Sequence, residues 1–215
     1  MQNNFLKLLK KQIKTPLFSD QDLKLFFSEK GSSAIHNLLS YHLKKKHIIK
    51  FKRGLYSLAN PDDKFYFSKL NLANALYSPS FVSFESALSF YGLIPEGVYE
   101  VTSACFLPKK KRFESVMGAF SFSYSPVRPF FLGVEKNNEQ GFLIANPLRA
   151  LFDLINQRKC NYLDISDLEL DFRIDLIDLK EIIKGYSAGD ILQIGDAYKK
   201  KNTKKLAEIL IRSFK

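Results

Sequence analysis

The side chains able to carry acid–base or nucleophilic chemistry are few, and their placement argues against most enzymes. All three histidines, His36, His42 and His47, lie in the first quarter of the 215-residue chain. The rest therefore has no Ser–His–Asp or Cys–His arrangement and no His-based metal site. His42 falls on an apolar helix face and reads as a packed or half-exposed helix residue, not a ligand. Two cysteines, Cys105 and Cys160, are too few for a disulfide framework or a zinc site and fit a reducing, cytoplasmic setting. No GxxxxGK[ST] or GxGxxG phosphate loop occurs. Glu85, Glu100 and Glu114, near Lys109–Arg112, are the acids from which a metal-dependent nuclease would have to be built. That chemistry needs clustered carboxylates with a partnering lysine. The usual E-x-K strand pattern is absent, so the expected roles of these acids are caps, turns and surface pairs. No catalytic residue, metal or cofactor is expected; a nuclease or other nucleic-acid enzyme with a DNA-targeting module is the alternative.

Residues suited to holding a polyanion are concentrated instead. Residues 1–60 carry 12 Lys/Arg against 3 Asp/Glu, a net +9 out of the chain's +11. A module of that charge suits nucleic acid or an anionic surface. Within it, a helix is expected from about Ser32 to Lys46, capped by Ser32 or Ser33. At about 100° per residue, Ile35, Leu38, Leu39 and His42 share one arc. Ser33, Asn37, Ser40 and Lys44 fall opposite, flanked by His36 and Tyr41, and Lys45 continues the basic end. Small side chains permit close approach to a major groove, Asn can pair with adenine, and Lys binds phosphate. Two short strands, Ile48–Lys52 and Leu55–Leu58, meet at Arg53-Gly54, where glycine supplies the positive φ of a tight hairpin. Lys50, Lys52 and Arg53 are expected to meet the flanking DNA backbone. If about six phosphates are contacted, affinity falls roughly a thousandfold between about 50 and 200 mM salt.

Two earlier helices position this pair. One covers residues 4–12, with Phe5, Leu8 and Leu9 on one side. Thr15-Pro16 breaks it, and Ser19 caps the next, with Asp20 and Asp22 in its first turn. Three short helices and a basic hairpin outline a winged helix-turn-helix over residues 1–60, ended by the turn-rich Asn60-Pro61-Asp62-Asp63.

The remainder, 61–215, is nearly neutral and rich in Phe, large enough for its own core and suited to a second, non-catalytic task. A helix is expected at about 64–77, then a short strand at Phe81-Val82. Ser83 caps a helix to Tyr91, with Gly92 after it. Strands follow at 98–106, 112–116, 120–124, 130–134 and 141–144, with a polar loop at 135–140. Alternation of Phe120, Phe122 and Tyr124 with serines marks a half-buried strand; a base-stacking platform over 120–132 is the other reading. Asn146-Pro147 starts a helix, and helices are expected at 178–184, 187–199 and 203–213. The last has Leu206, Ile209, Leu210 and Phe214 at helical spacing and is read as a packed terminal helix. Lys109, Lys110, Lys111 and Arg112 form a possible second basic patch. No run of 18 apolar residues and no signal-peptide pattern occurs, so no membrane association is expected. The expected fold is α+β: a winged helix-turn-helix, then a mixed α/β domain with a core over 61–158 and a helical C-terminal tail over 159–215.

The order of several short motifs carries a resemblance. They are Arg53-Gly54-Leu55-Tyr56-Ser57-Leu58, then Ser83-Phe84-Glu85-Ser86-Ala87-Leu88 leading to Tyr91-Gly92-Leu93-Ile94-Pro95. Val101-Thr102-Ser103, Arg112-Phe113-Glu114, Gly118-Ala119-Phe120-Ser121-Phe122 and Ile144-Ala145-Asn146-Pro147 follow, the last before Ala150-Leu151-Phe152-Asp153-Leu154. In this order the set resembles the AbiEi-type antitoxins of bacterial abortive-infection, type IV toxin–antitoxin systems, over about residues 5–155. The resemblance implies an N-terminal winged helix-turn-helix that represses its own operon by binding double-stranded operator repeats. It also implies a C-terminal domain that counters a co-encoded nucleotidyltransferase-like toxin without a tight complex. Asn146 stands where relatives often have Thr, and both residues cap helices.

Overall fold

The computed structural model describes residues 2–60, 65–95, 97, 99–159 and 164–214. Cys160, most of the turn expected at 60–63, and the expected starts of the helix at 64 and the strand at Val98 lie outside them. The architecture is mixed α+β, with two sheets.

Three helices open the chain: α1 (Gln2–Gln12), α2 (Asp20–Phe26) and α3 (Ser32–Lys44). Ser19 caps α2 as its sequence predicts, accepting from the Asp22 amide while the Asp22 carboxylate accepts from the Ser19 backbone. The cap expected of Ser32 or Ser33 is absent: Gly31 occupies the N-cap position of α3, and both serines lie in the first turn. Strands β2 (Ile48–Lys52) and β3 (Leu55–Leu58) form the expected hairpin. A two-residue strand, β1 (Phe18–Ser19), pairs with β3 and completes a three-stranded sheet that periodicity could not reveal. Phe5, Leu9, Leu23, Phe27, Ile35 and Leu39 are among the buried side chains that join these helices to Phe18, Ile48 and Tyr56 of the sheet.

The hairpin also faces the other way. Phe51 and Leu55 belong to the larger core of the chain, and the Phe51 ring meets Phe65 and Phe67 at 5.8 and 5.7 Å. The helix expected at 64–77 is shorter, α4 (Lys69–Leu76), because Ser68 caps it in a box with Asn71. Six strands follow in a mixed sheet: β4 (Ser80–Val82), β5 (Glu100–Cys105), β6 (Lys111–Ser115), β7 (Gly118–Tyr124), β8 (Val134–Lys136) and β9 (Leu143–Ala145). Their spatial order is β6-β7-β5-β4-β9-β8, with β5·β7 and β4·β9 parallel and the other pairs antiparallel. Residues 130–133, expected as strand, form turns, and β8 begins at Val134, inside the end of that segment, and runs into the stretch expected as loop.

Alternation along the strands sends side chains to two layers. Phe122 meets Tyr77, just beyond α4, and the Phe113 ring of β6. Thr102 and Ser123 instead meet α5 (Phe84–Phe90) and α6 (Pro147–Arg158) through Ser86 and Gln157. Asn146 caps α6 with Pro147 at its first position, as expected. The tail comprises α7 (Ser166–Phe172), unanticipated in the sequence, α8 (Leu176–Lys184), α9 (Ala188–Ala197) and α10 (Lys201–Phe214). Leu206, Ile209 and Leu210 of α10 are buried. Gly195 lets α9 approach closely: a Cβ there would sit 3.0 Å from Ala207 and 3.2 Å from Phe152. Among the described residues no helix is long and apolar enough to cross a membrane.

Candidate nucleic-acid interface

The faces of α3 divide as the 100° rule requires. Ile35, Leu39 and His42 are buried and Leu38 is half-buried. Ser33, His36, Asn37 and Lys44 are exposed, with Lys45 just beyond the helix, while Ser40 and Tyr41 are half-buried. His42 stacks on Phe5 at 5.3 Å, takes the edge of Tyr41 at 5.2 Å, and shares a 3.0 Å Nδ1···Nδ1 hydrogen bond with His47. One of these two rings must hold its proton at Nδ1 and the other accept there. The histidine pair thus fixes the end of α3 against the chain entering β2.

The hairpin tip is tied to α2. Gly54 has φ +79°, and a Cβ on it would lie 3.1 Å from an Asp20 carboxylate oxygen. The Gly54 amide donates to the Tyr56 hydroxyl at 3.3 Å, and burial raises the Tyr56 phenol above its usual value. This docking brings Arg53 to the mouth of an open groove of about 540 Å³, lined also by Ser33, His36 and Asn37 of α3 and by Asp20 and Lys24 of α2. Cationic tip and polar helix face therefore share one concave surface.

One residue expected to bind phosphate is used otherwise. A register irregularity between Lys50 and Lys52 breaks the hairpin's alternation. Lys50 is exposed, but the Lys52 ammonium donates to the Leu76 carbonyl and lies 5.8 Å from the centre of the Phe113 ring. Burial lowers the Lys52 ammonium from the usual lysine value. Lys52 is a strut between the hairpin and the six-stranded sheet, which corrects its expected place among the phosphate contacts. In the second basic patch, Lys109, Lys110 and Lys111 are exposed. Arg112 is also exposed, and it donates to Glu100 at 2.8 Å and Glu114 at 2.9 Å, which offset its charge within the patch. Glu85 in turn accepts from Arg158 at 2.9 Å. The acids weighed for a nuclease are thus ion-paired, and no group of three His, Cys, Asp or Glu side chains able to hold a metal occurs among the described residues.

A polar centre that sequence reasoning missed lies inside the larger core. Arg149 and Asp153, one helical turn apart on α6, are both fully buried and bonded at 3.0 Å. Asp153 also accepts from Ser83 at 2.8 Å, Ser125 at 3.0 Å and Tyr198 at 2.7 Å. Arg149 donates to the Leu132 carbonyl and to Ser125 and lies over the Phe81 ring at 5.1 Å. Burial pushes the Tyr198 phenol well above its usual value, which keeps it a neutral donor. The Ser83 hydroxyl, expected to cap α5, is committed here instead. One signal was present: an Arg and an Asp four apart inside an otherwise apolar stretch of helix. This cluster ties β4, β7, α6 and the end of α9 together and has no exposed face, so it reads as structural.

No family model matches the chain, and no curated protein matches it in sequence. Its fold is similar to that of the crystal structure of the RV2827C protein from Mycobacterium tuberculosis. The TM-score is 0.52 with 11% identity, over 97% of this chain and 81% of that one. At such identity the likeness is one of fold.

Proposed function

We propose that this chain is a DNA-binding repressor of its own operon whose N-terminal helices and hairpin act as a winged helix-turn-helix. The observation that carries the reading is the groove shared by α3 and the hairpin tip, where Ser33, His36 and Asn37 face the same space as Arg53. A helix with a small, polar outer face beside a cationic hairpin suits α3 in a major groove and the tip on the adjoining backbone. The net +9 of residues 1–60 supplies the long-range attraction. The resemblance to AbiEi-type antitoxins adds a second role, in a cytoplasmic toxin–antitoxin system of phage defence: countering a co-encoded nucleotidyltransferase-like toxin without a tight complex.

Fluorescence anisotropy with duplex DNA from upstream of the chain's own gene tests the first role. Saturable binding that exceeds binding to scrambled duplex and weakens steeply with salt is expected; equal affinity for both sequences, or none, sinks it. Co-expression with the neighbouring gene product tests the second. Full-length protein and an Asn37→Ala/Arg53→Ala double variant should both relieve growth arrest, and failure of the wild type to do so removes the antitoxin role.

A further inference from the structure

We propose that the exposed aromatic surface at the end of β5 and β7, with the Lys109–Lys111 turn beside it, binds single-stranded nucleic acid. Phe106 is 39% exposed, Tyr124 40% and Phe131 50%, against complete burial of their strand neighbours Cys105 and Phe122. Arg128 and the buried Phe130 link these three rings. The Arg128 guanidinium lies 4.3 Å from the Phe106 ring centre and 5.8 Å from that of Tyr124. Phe106 meets Phe130 at 5.5 Å, and Phe130 meets Phe131 at 4.9 Å. Arg128 is held by the carbonyls of Ser125 at 3.1 Å and Val127 at 2.6 Å. Both bonds come from Nη1 alone and hold the guanidinium beside the rings. The exposed ring faces next to this cation favour a stacking base with its phosphate over an acidic peptide.

Charge completes the match. Between residues 101 and 134 the single acid is Glu114, which is bonded to Arg112. Lys111 pairs with Phe122 across β6 and β7, one diagonal step, about 7–8 Å, from Tyr124. Lys109 and Lys110 precede it on the same exposed turn. Stacking rings flanked by cations, with no base-edge reader required, is the arrangement that binds single strands with little sequence preference. The surface is separate from the α3 groove, so this binding is independent of the duplex-binding reading.

The chain has no tryptophan, so Tyr124→Trp introduces a single reporter at the stack. Full-length protein is titrated with oligo-dT and oligo-U of about 12 nucleotides, within the site size of such surfaces. Trp emission should be quenched on binding as a base stacks. Phe131→Ala and Tyr124→Leu should each weaken anisotropy-detected binding by about five- to a hundredfold. Lys109→Ala/Lys110→Ala/Lys111→Ala should lower the salt slope. Thermal melts confirm that each variant is folded; should Tyr124→Leu unfold, the half-exposed Phe131 site and the lysine triple variant carry the test. The proposal falls if the wild type binds neither oligonucleotide. It falls equally if the aromatic variants bind as the wild type does, if Trp emission is unmoved at saturation, or if poly-glutamate of equal charge competes as well as oligo-dT. The last result would assign the surface to an acidic protein.

Discussion

Replacing Lys50 and Lys52 one at a time separates a phosphate contact from a strut. Lys44, Lys45, Lys50 and Arg53 are exposed around α3 and the hairpin. With one phosphate for each of these four cations, the slope of log affinity against log salt is about −3.6, and affinity falls about 150-fold between about 50 and 200 mM salt. That is shallower than charge alone suggests, partly because Lys52 is withdrawn to Leu76 and Phe113. Lys50→Ala should reduce the slope by about 0.9 and the fall to about 40-fold, with an unchanged melting temperature. Lys52→Ala should leave the slope alone. It should cost roughly 1–2 kcal/mol of stability through the lost carbonyl bond and ring contact, lowering Tm by about 2–8 °C. Anisotropy titrations at four or more salt concentrations and a thermal melt of each variant measure both quantities. A Lys52→Ala protein with wild-type Tm and a slope reduced by about one would refute the reasoning.

Asn37→Ala should cost about 1–3 kcal/mol on operator DNA and little on random duplex, because Asn37 is exposed in the groove; equal losses on both would remove it from base readout. Asp153→Asn leaves the fully buried Arg149 without its counter-charge, so unfolding free energy should drop by about 3–5 kcal/mol. A loss below about 1 kcal/mol in denaturant titration would contradict that. Burial pushes the Cys105 thiol up to about 11, so in a Cys160→Ser background the thiolate fraction at pH 8 is about one in a thousand. Reaction with a thiol-specific disulfide reagent should be slow in the native protein, quicken as pH approaches 11, and become rapid on denaturation; fast reaction at pH 8 in the folded state would show that Cys105 is not buried.

Local features are legible in the order of residues. The Ser19 capping box needs a hydroxyl and a carboxylate three residues apart, and the hairpin needs a glycine between two strand-forming runs, so both are legible without a fold. The inward stripe of α3 is legible for the same reason, since 3.6-residue periodicity is written in the order of side chains. Asn146-Pro147 marks the start of α6 through the cap and the fixed φ of proline. Where polar groups went depended on which distant segments met in the fold. Strand alternation puts Lys50 and Lys52 on one face, but a slip in register and a carbonyl 24 residues away capture Lys52. Ser83 has the position of a cap, but its hydroxyl donates to Asp153, 70 residues on, because a buried carboxylate must gather donors wherever the fold supplies them. Burial is likewise collective: Phe120 and Phe122 are covered while Tyr124, next in the same alternation, is left half in solvent because the layer facing β7 does not extend over it. Spacing names which residues share a face, and packing decides whether that face is core, strut or open surface.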